Sequence, residues 1–267
     1  MGTIVITGAG SGIGAATAAR LAADGHRVIG VDLKGCEVAA DLGTPAGRRA
    51  AIEEVGSLSN GTVDGLATFA GVAGLTDRPG ALLVSVNYFG TVELLAGLRP
   101  MLAQGTNAAA VAISSNSTTC QPGVPLDLVD ACLAGDEVRA RDIGDRVSSL
   151  AAYPATKMAI ARWVRGQATG SDWIGTGITL NAVAPGFTDT PLTDEVRRDP
   201  IIGSAVDQFP IPAGRPGRPE DVAGLVAFLL GPDARFFCGS IVFVDGGTDA
   251  LLRRDDWPAA MGASLSR

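Results

Sequence analysis

The chain is poor in the residues that hold metals or staple small folds. It has one histidine and four cysteines in 267 residues, and Cys36, Cys120, Cys132 and Cys238 are scattered without a CxxC pair. That usage offers neither a zinc site nor a disulfide framework, so free thiols and no metal are expected. Cations are also scarce: 21 Lys and Arg stand against 28 Asp and Glu, a net charge of −7. No basic run tracks a phosphate backbone, which argues against nucleic acid as a partner. Long apolar runs are missing too. Ala223–Leu230 is far short of the roughly 20 residues that cross a bilayer, so no membrane span is expected. The first strand is expected from Thr3, which leaves no room ahead of it for a secretory leader, and the expectation is a cytoplasmic protein.

What is present is an apolar chain, 46% hydrophobic and 18% charged, long enough to bury a full core as one α/β domain over residues 1–267. Thr3–Thr7 is a β-branched run that stops at Gly8-Ala-Gly10-Ser-Gly12-Ile-Gly14, ahead of an Ala-rich helical stretch reaching about Asp24. Strand, glycine turn and helix together make a phosphate-binding layout. Glycines let backbone N–H groups approach a pyrophosphate, and the helix start adds partial positive charge. The second strand, Arg27–Asp32, ends in a carboxylate eighteen positions after Gly14. A carboxylate there bonds the diol of an adenosine ribose and repels a 2′-phosphate, which favours NAD over NADP.

Further strands are expected at 37–42, 64–71, 108–115, 178–184 and 240–244, and a helix at Thr44-Pro45 with Thr as N-cap. A long helix is expected over 81–104, carrying Asn87. Residues 116–152 change character: Pro122 and Pro125 break the chain, and two helical pieces, 126–133 and 136–143, flank Gly135. The next helix is expected from Tyr153 to Ala168. Residues 191–219 hold six prolines and no strong period, the mark of a functional loop. Seven short strands alternating with helices predict a doubly wound parallel sheet, a Rossmann fold, with ligands beyond the strand carboxyl ends.

Tyr153 and Lys157 stand four apart and share one helix face. A phenol becomes a useful acid or base when a nearby cation draws its pKa, about 10, downward. Together with Thr7-Gly8-x-x-x-Gly12-Ile13-Gly14, Ala70-Gly71, Asn87, Ser115, Asn181 and Pro185-Gly186-x-x-x-Thr190, this pair resembles the short-chain dehydrogenase/reductase family over essentially the whole chain. The resemblance implies Tyr153 as acid/base, Lys157 as its tuner, Ser115, the second serine after the fifth strand, as substrate anchor, and Asn87 as proton relay. For NAD it implies Gly8, Ser11, Gly12, Ile13, Gly14, Asp32, Leu33, Asp41, Leu42, Ala70, Gly71, Tyr153, Lys157, Pro185, Gly186, Thr188 and Thr190.

Two departures stand out. Thr68-Phe69-Ala70-Gly71 lacks an asparagine the family usually carries there, and Ser115 and Tyr153 lie 38 residues apart, which requires the 116–152 segment to loop out as an inserted helical hairpin. That insertion resembles a subgroup of bacterial 3α-hydroxysteroid dehydrogenase/carbonyl reductases and their aryl-alcohol relatives, and it implies a homodimer. The expected substrate is a hydrophobic alcohol or ketone, walled by Val72–Leu75, Asn116–Val124, Phe187 and the Pro191–Pro212 loop, inside a substrate loop expected over 187–219. A catalytically silent dinucleotide-binding protein is the alternative on the same fold. The joint presence of Asn87, Ser115, Tyr153 and Lys157 argues against it.

Overall fold

A computed structural model describes residues 1–206 and 208–257. In chain order the elements are β1 (Thr3–Thr7), α1 (Gly12–Ala23), β2 (Arg27–Asp32), β3 (Val38–Ala39), α2 (Pro45–Leu58), β4 (Gly65–Thr68) and α3 (Gly80–Leu83). A π-turn (Val84–Phe89) joins α3 to α4 (Gly90–Leu102). Then come β5 (Ala109–Ile113), α5 (Ser117–Cys120), α6 (Leu126–Leu133), α7 (Glu137–Val147), α8 (Ser149–Ala168) and β6 (Thr179–Pro185). The chain continues through α9 (Pro191–Arg198), α10 (Gly203–Val206), α11 (Pro219–Leu230), β7 (Ile241–Val244) and α12 (Thr248–Leu252).

The seven strands form one parallel sheet in the order β3-β2-β1-β4-β5-β6-β7. The strand period of two sorts each strand between the two faces of the sheet. Ile4 and Ile6 of β1, Val111 of β5 and Val183 of β6 join Leu21, Val222 and Val226 under α1 and α11. The alternate residues Val5, Leu66, Ala110 and Ala182 pack with Leu94, Leu98 and Ile160 of α4 and α8 on the other face. With both faces covered, strands read as continuous apolar runs, as the sequence suggests.

The structure corrects several boundaries. The third strand is only Val38–Ala39, leaving Asp41 and Leu42 beyond it. The helix expected over 81–104 is broken by the π-turn that carries Asn87. The Tyr/Lys helix begins one turn earlier, at Ser149, so the last residues of 116–152 belong to it. Residues 187–219 are not one loop: α9 starts at Pro191 with a Thr190/Thr193 capping box. Gly80–Leu102 is also the one helical stretch, among the described residues, long and apolar enough to cross a bilayer, and 72% of its apolar window is buried in the core.

Candidate active site

β1 and β4 are neighbours whose following connections run to opposite sides of the sheet, so a crevice opens beyond their carboxyl ends. At this crevice the backbone must turn hard. Gly8 has φ +71°, and a Cβ there would stand 2.6 Å from the Ala70 nitrogen, so only glycine fits between the two strand ends. α1 follows with no side chain capping its first turn, which leaves its amides free for an anion. Thr68, in the stretch that lacks the family's asparagine, leaves its buried hydroxyl without a partner, while the Thr7 hydroxyl accepts a bond from the Ala70 nitrogen at 3.1 Å.

A cavity of about 490 Å³ runs along this edge. Every residue assigned to the cofactor from the sequence lines it, from Gly8, Ser11, Gly12, Ile13 and Gly14 through Asp32, Leu33, Asp41 and Leu42 to Pro185, Gly186, Thr188 and Thr190. Asp32 is anchored by the glycine turn and by its own neighbour, accepting bonds from Gly10 N at 2.9 Å and Leu33 N at 2.7 Å. Leu82 and Val86 also line this cavity; their places on an apolar helix gave no sign of it.

A second cavity of about 400 Å³ opens beside the first. The two share Ser115, Tyr153, Gly186, Leu192 and Thr193. The second is mainly apolar, with Ala73 and Gly74 on one side and Val196, Ile202, Val206 and Phe209 on the other. Leu150 lines it as well. It stands one helical turn before Tyr153, a spacing that points to it only once α8 is known to start at Ser149.

The excursion between Ser115 and Tyr153 does return the two to one pocket. Ser115 and Tyr153 line both cavities, and the nearby Ser115 hydroxyl opposes part of the rise that burial imposes on the phenol's pKa. Ser114 is used elsewhere: its hydroxyl donates to the Lys157 carbonyl at 3.0 Å and ties α8 to the end of β5. Lys157, 4% exposed, donates from Nζ to the Ile113 carbonyl at 3.3 Å and lies 5.9 Å from the Tyr153 ring centre. Asn87 is fully buried, with Oδ1 accepting from Val72 N at 2.8 Å and Nδ2 donating to Val72 O at 3.0 Å. A Cβ on Gly71 would stand 3.2 Å from Asn87 Oδ1 and 3.7 Å from Lys157 Nζ, so Gly71 is where these two groups approach.

The electrostatics differ from the expectation that Lys157 pulls the phenol down. Burial raises the Tyr153 pKa, opposed only by Ser115, and burial also pushes Lys157 down to about 7. A dry pocket disfavours both charged forms, and an ammonium that sheds its own proton near neutrality cannot act as a full positive charge on its neighbour.

Comparison with known proteins agrees with this geometry. Residues 2–125 match the short chain dehydrogenase model, and residues 142–249 match a related model described as enoyl-(acyl carrier protein) reductase. The 3-alpha-hydroxysteroid dehydrogenase/carbonyl reductase of Comamonas testosteroni is 40% identical over 257 residues, 95% of this chain and 98% of that protein. The chain belongs to the short-chain dehydrogenase/reductase family. Among solved structures of the family, the NADH complex of the 3-alpha-hydroxysteroid dehydrogenase from Pseudomonas sp. B-0831 is 44% identical, covers 95% of this chain and 99% of its own, and superposes with a TM-score of 0.91. The coniferyl-alcohol dehydrogenase of Pseudomonas sp. (strain HR199) is 31% identical, covering 91% of this chain and 95% of its own length.

Proposed function

We propose that this short-chain dehydrogenase is an NAD(H)-dependent enzyme that reversibly interconverts a hydrophobic secondary alcohol and its ketone, of the 3α-hydroxysteroid dehydrogenase/carbonyl reductase kind. The observation that carries the reading is the wall common to both cavities: Ser115 and Tyr153 stand where a dinucleotide groove meets an apolar chamber. The residues of the first cavity fit NAD, with uncapped amides at the start of α1 for the pyrophosphate and the anchored Asp32 carboxylate for a ribose diol. When bound, the nicotinamide supplies or accepts the hydride, and its oxidised ring carries a positive charge.

The chain's part is placement and proton traffic. Ser115 Oγ holds the substrate oxygen; Tyr153 Oη takes the hydroxyl proton in oxidation and returns it in reduction. Lys157 Nζ, beside Gly71, orients the nicotinamide ribose, and its low pKa lets it accept the proton passed on from Tyr153 near neutrality. Asn87 keeps one amide donor and one lone pair beyond its Val72 bonds, enough to fix a water in the proton path. The apolar second cavity suits a flat substrate such as a steroid. An aryl alcohol or ketone is the second reading, favoured by the likeness to coniferyl-alcohol dehydrogenase.

The chain is acidic, and the one bilayer-length helix among the described residues lies in the core, which supports a cytoplasmic enzyme. It is read as a homodimer. α6 and α7 pack over α8 and α3 and occupy faces that a second copy would otherwise use. The edge strand β7 remains half-exposed along its length, with Phe228 and Phe236 exposed nearby.

The test is a kinetic panel comparing a 3-ketosteroid with an aryl ketone, each with NADH and NADPH, on the wild type and Tyr153→Phe. Removing the general acid is expected to lower kcat by about 10²–10⁴ while NADH affinity is kept. Near-normal turnover in the variant with coenzyme bound, or preference for NADPH, overturns the assignment.

A further inference from the structure

The second cavity has two walls from distant parts of the chain. One is Ala73 and Gly74, at the start of the segment 73–78 after β4, and the other is the α9–α10 region, which supplies Leu192, Val196, Ile202 and Val206. The first wall is bolted to the body of the protein. Asn87 holds both backbone groups of Val72, and the Ser149 hydroxyl does the same for Leu75, accepting from its nitrogen at 2.9 Å and donating to its carbonyl. Among the described residues the ties across the cavity rim are few, and one dominates. Asp199, on the turn between α9 and α10, accepts from Thr76 N on Oδ2 and from Thr76 Oγ1 on Oδ1, both at 2.7 Å. The same Oδ1 accepts from Ile201 N at 2.9 Å and Ile202 N at 3.2 Å, and so shapes the turn that leads to α10.

We infer that Asp199 is a positioning residue that fixes the separation of the two substrate walls through Thr76, and thereby sets which ketones fill the chamber. The carboxylate is only 8% exposed, and all four of these donors are neutral, so its place is explained by the junction it makes and not by a cation. Two acceptor oxygens serve two sides, Thr76 N and the Ile201–Ile202 turn. An asparagine presents an acceptor to only one of them and a donor to the other, so Asp199→Asn loses either the Thr76 N bond or the bonds to the Ile201–Ile202 turn and weakens the junction while keeping the volume. The second tie, Arg78 to Glu195 of α9 at 3.1 Å, ends on a half-exposed carboxylate and adds little of its own.

The inference rests on the ketone-reductase reading, and the test separates the two. Wild type, Asp199→Asn, Thr76→Val and Thr76→Ser are assayed with a 3-ketosteroid, which spans both walls, and with a small aryl ketone held mainly by Ser115 and Tyr153. NADH affinity is measured by fluorescence, and trypsin cleavage within 187–219 is followed on the NADH complex. Asp199→Asn is expected to raise KM for the steroid about tenfold, as misplaced contacts do, with a much smaller change for the aryl ketone, unchanged NADH affinity and faster cleavage. Thr76→Val follows in part, Thr76→Ser behaves as wild type, and adding Thr76→Val to Asp199→Asn costs less than the two changes summed. Equal changes for both ketones, or Thr76→Val indistinguishable from Thr76→Ser in KM and cleavage, overturn the inference. If Asp199→Asn does not fold, the Thr76 pair decides. If the wild type reduces neither ketone, the functional reading fails, and cleavage still decides whether the junction holds the walls.

Discussion

At the scale of single residues, the chemistry was legible where it rests on residue types at fixed spacing. Tyr153 and Lys157 on one helix face, the glycine turn and Asp32 need no tertiary information to be noticed, and the cavity gathers them all. What the spacing cannot carry is dielectric. Lys157 is a cation in sequence, yet its pocket drives it down to about 7 from 10.5, which has a consequence for stability. Below pH 7 the lysine is charged in both folded and unfolded chains, and the folded protein bears the whole cost of burying the charge. Between pH 7 and 10.5 the folded chain has released a proton that the unfolded chain still binds, so stability rises with pH and the cost fades. Lys157→Met is therefore expected to lose activity yet unfold at a higher temperature than wild type. The gain is at most roughly 5 kcal/mol at pH 6, from the shift at about 1.4 kcal/mol per unit, and it vanishes towards pH 10.5. Thermal unfolding measured across that range checks it, and a gain that grows with pH contradicts the burial argument.

Among the elements, the strands followed from β-branched and near-continuous apolar runs and α1 from an Ala-rich stretch, whereas irregular helices did not. The π-turn at Val84–Phe89 sits in a mostly apolar stretch, and no residue there breaks a helical period; its cause is tertiary, since Asn87 must reach Val72. α9 is a different case. The Thr-Pro pair that announces α2 at Thr44 also opens α9 at Thr190, but the prolines of 191–219 mask it. The α6–α7 pair owes its seat to a group that sequence alone gives no reason to bury. Arg48 of α2 is 1% exposed and bonds Glu137 of α7 at 2.6 Å and Glu93 of α4 at 2.7 Å. Ser85 of the π-turn also donates to Glu137, at 2.9 Å. Removing one partner of a buried pair leaves the other charge uncompensated, so Arg48→Met is expected to destabilise by about 3 kcal/mol. The urea midpoint reads this, and an unchanged midpoint would mean that α7 is held by apolar packing alone.

For the whole molecule, the doubly wound parallel sheet was legible because seven apolar strands alternating with helices admit few right-handed arrangements, while assembly is a property of surfaces that one chain's periodicity does not report. In the proposed homodimer, with α6 and α7 over α8 and α3, the exposed apolar residues around β7 are the surface offered to a second copy. Solution scattering is expected to give twice the 27.0 kDa chain mass, and Phe236→Asp, at a side chain fully exposed in the single chain, is expected to shift the protein towards the monomer. A tetramer removes the role given to the inserted helices.

Leu192 and Thr193 border both cavities, so whatever fills the larger one also shapes a side of the smaller. Turnover should then have a compulsory order, the coenzyme boarding first and departing last. In product-inhibition kinetics NAD⁺ is expected to compete with NADH, and the alcohol with neither reactant; competition between alcohol and ketone would mean that either chamber can load first.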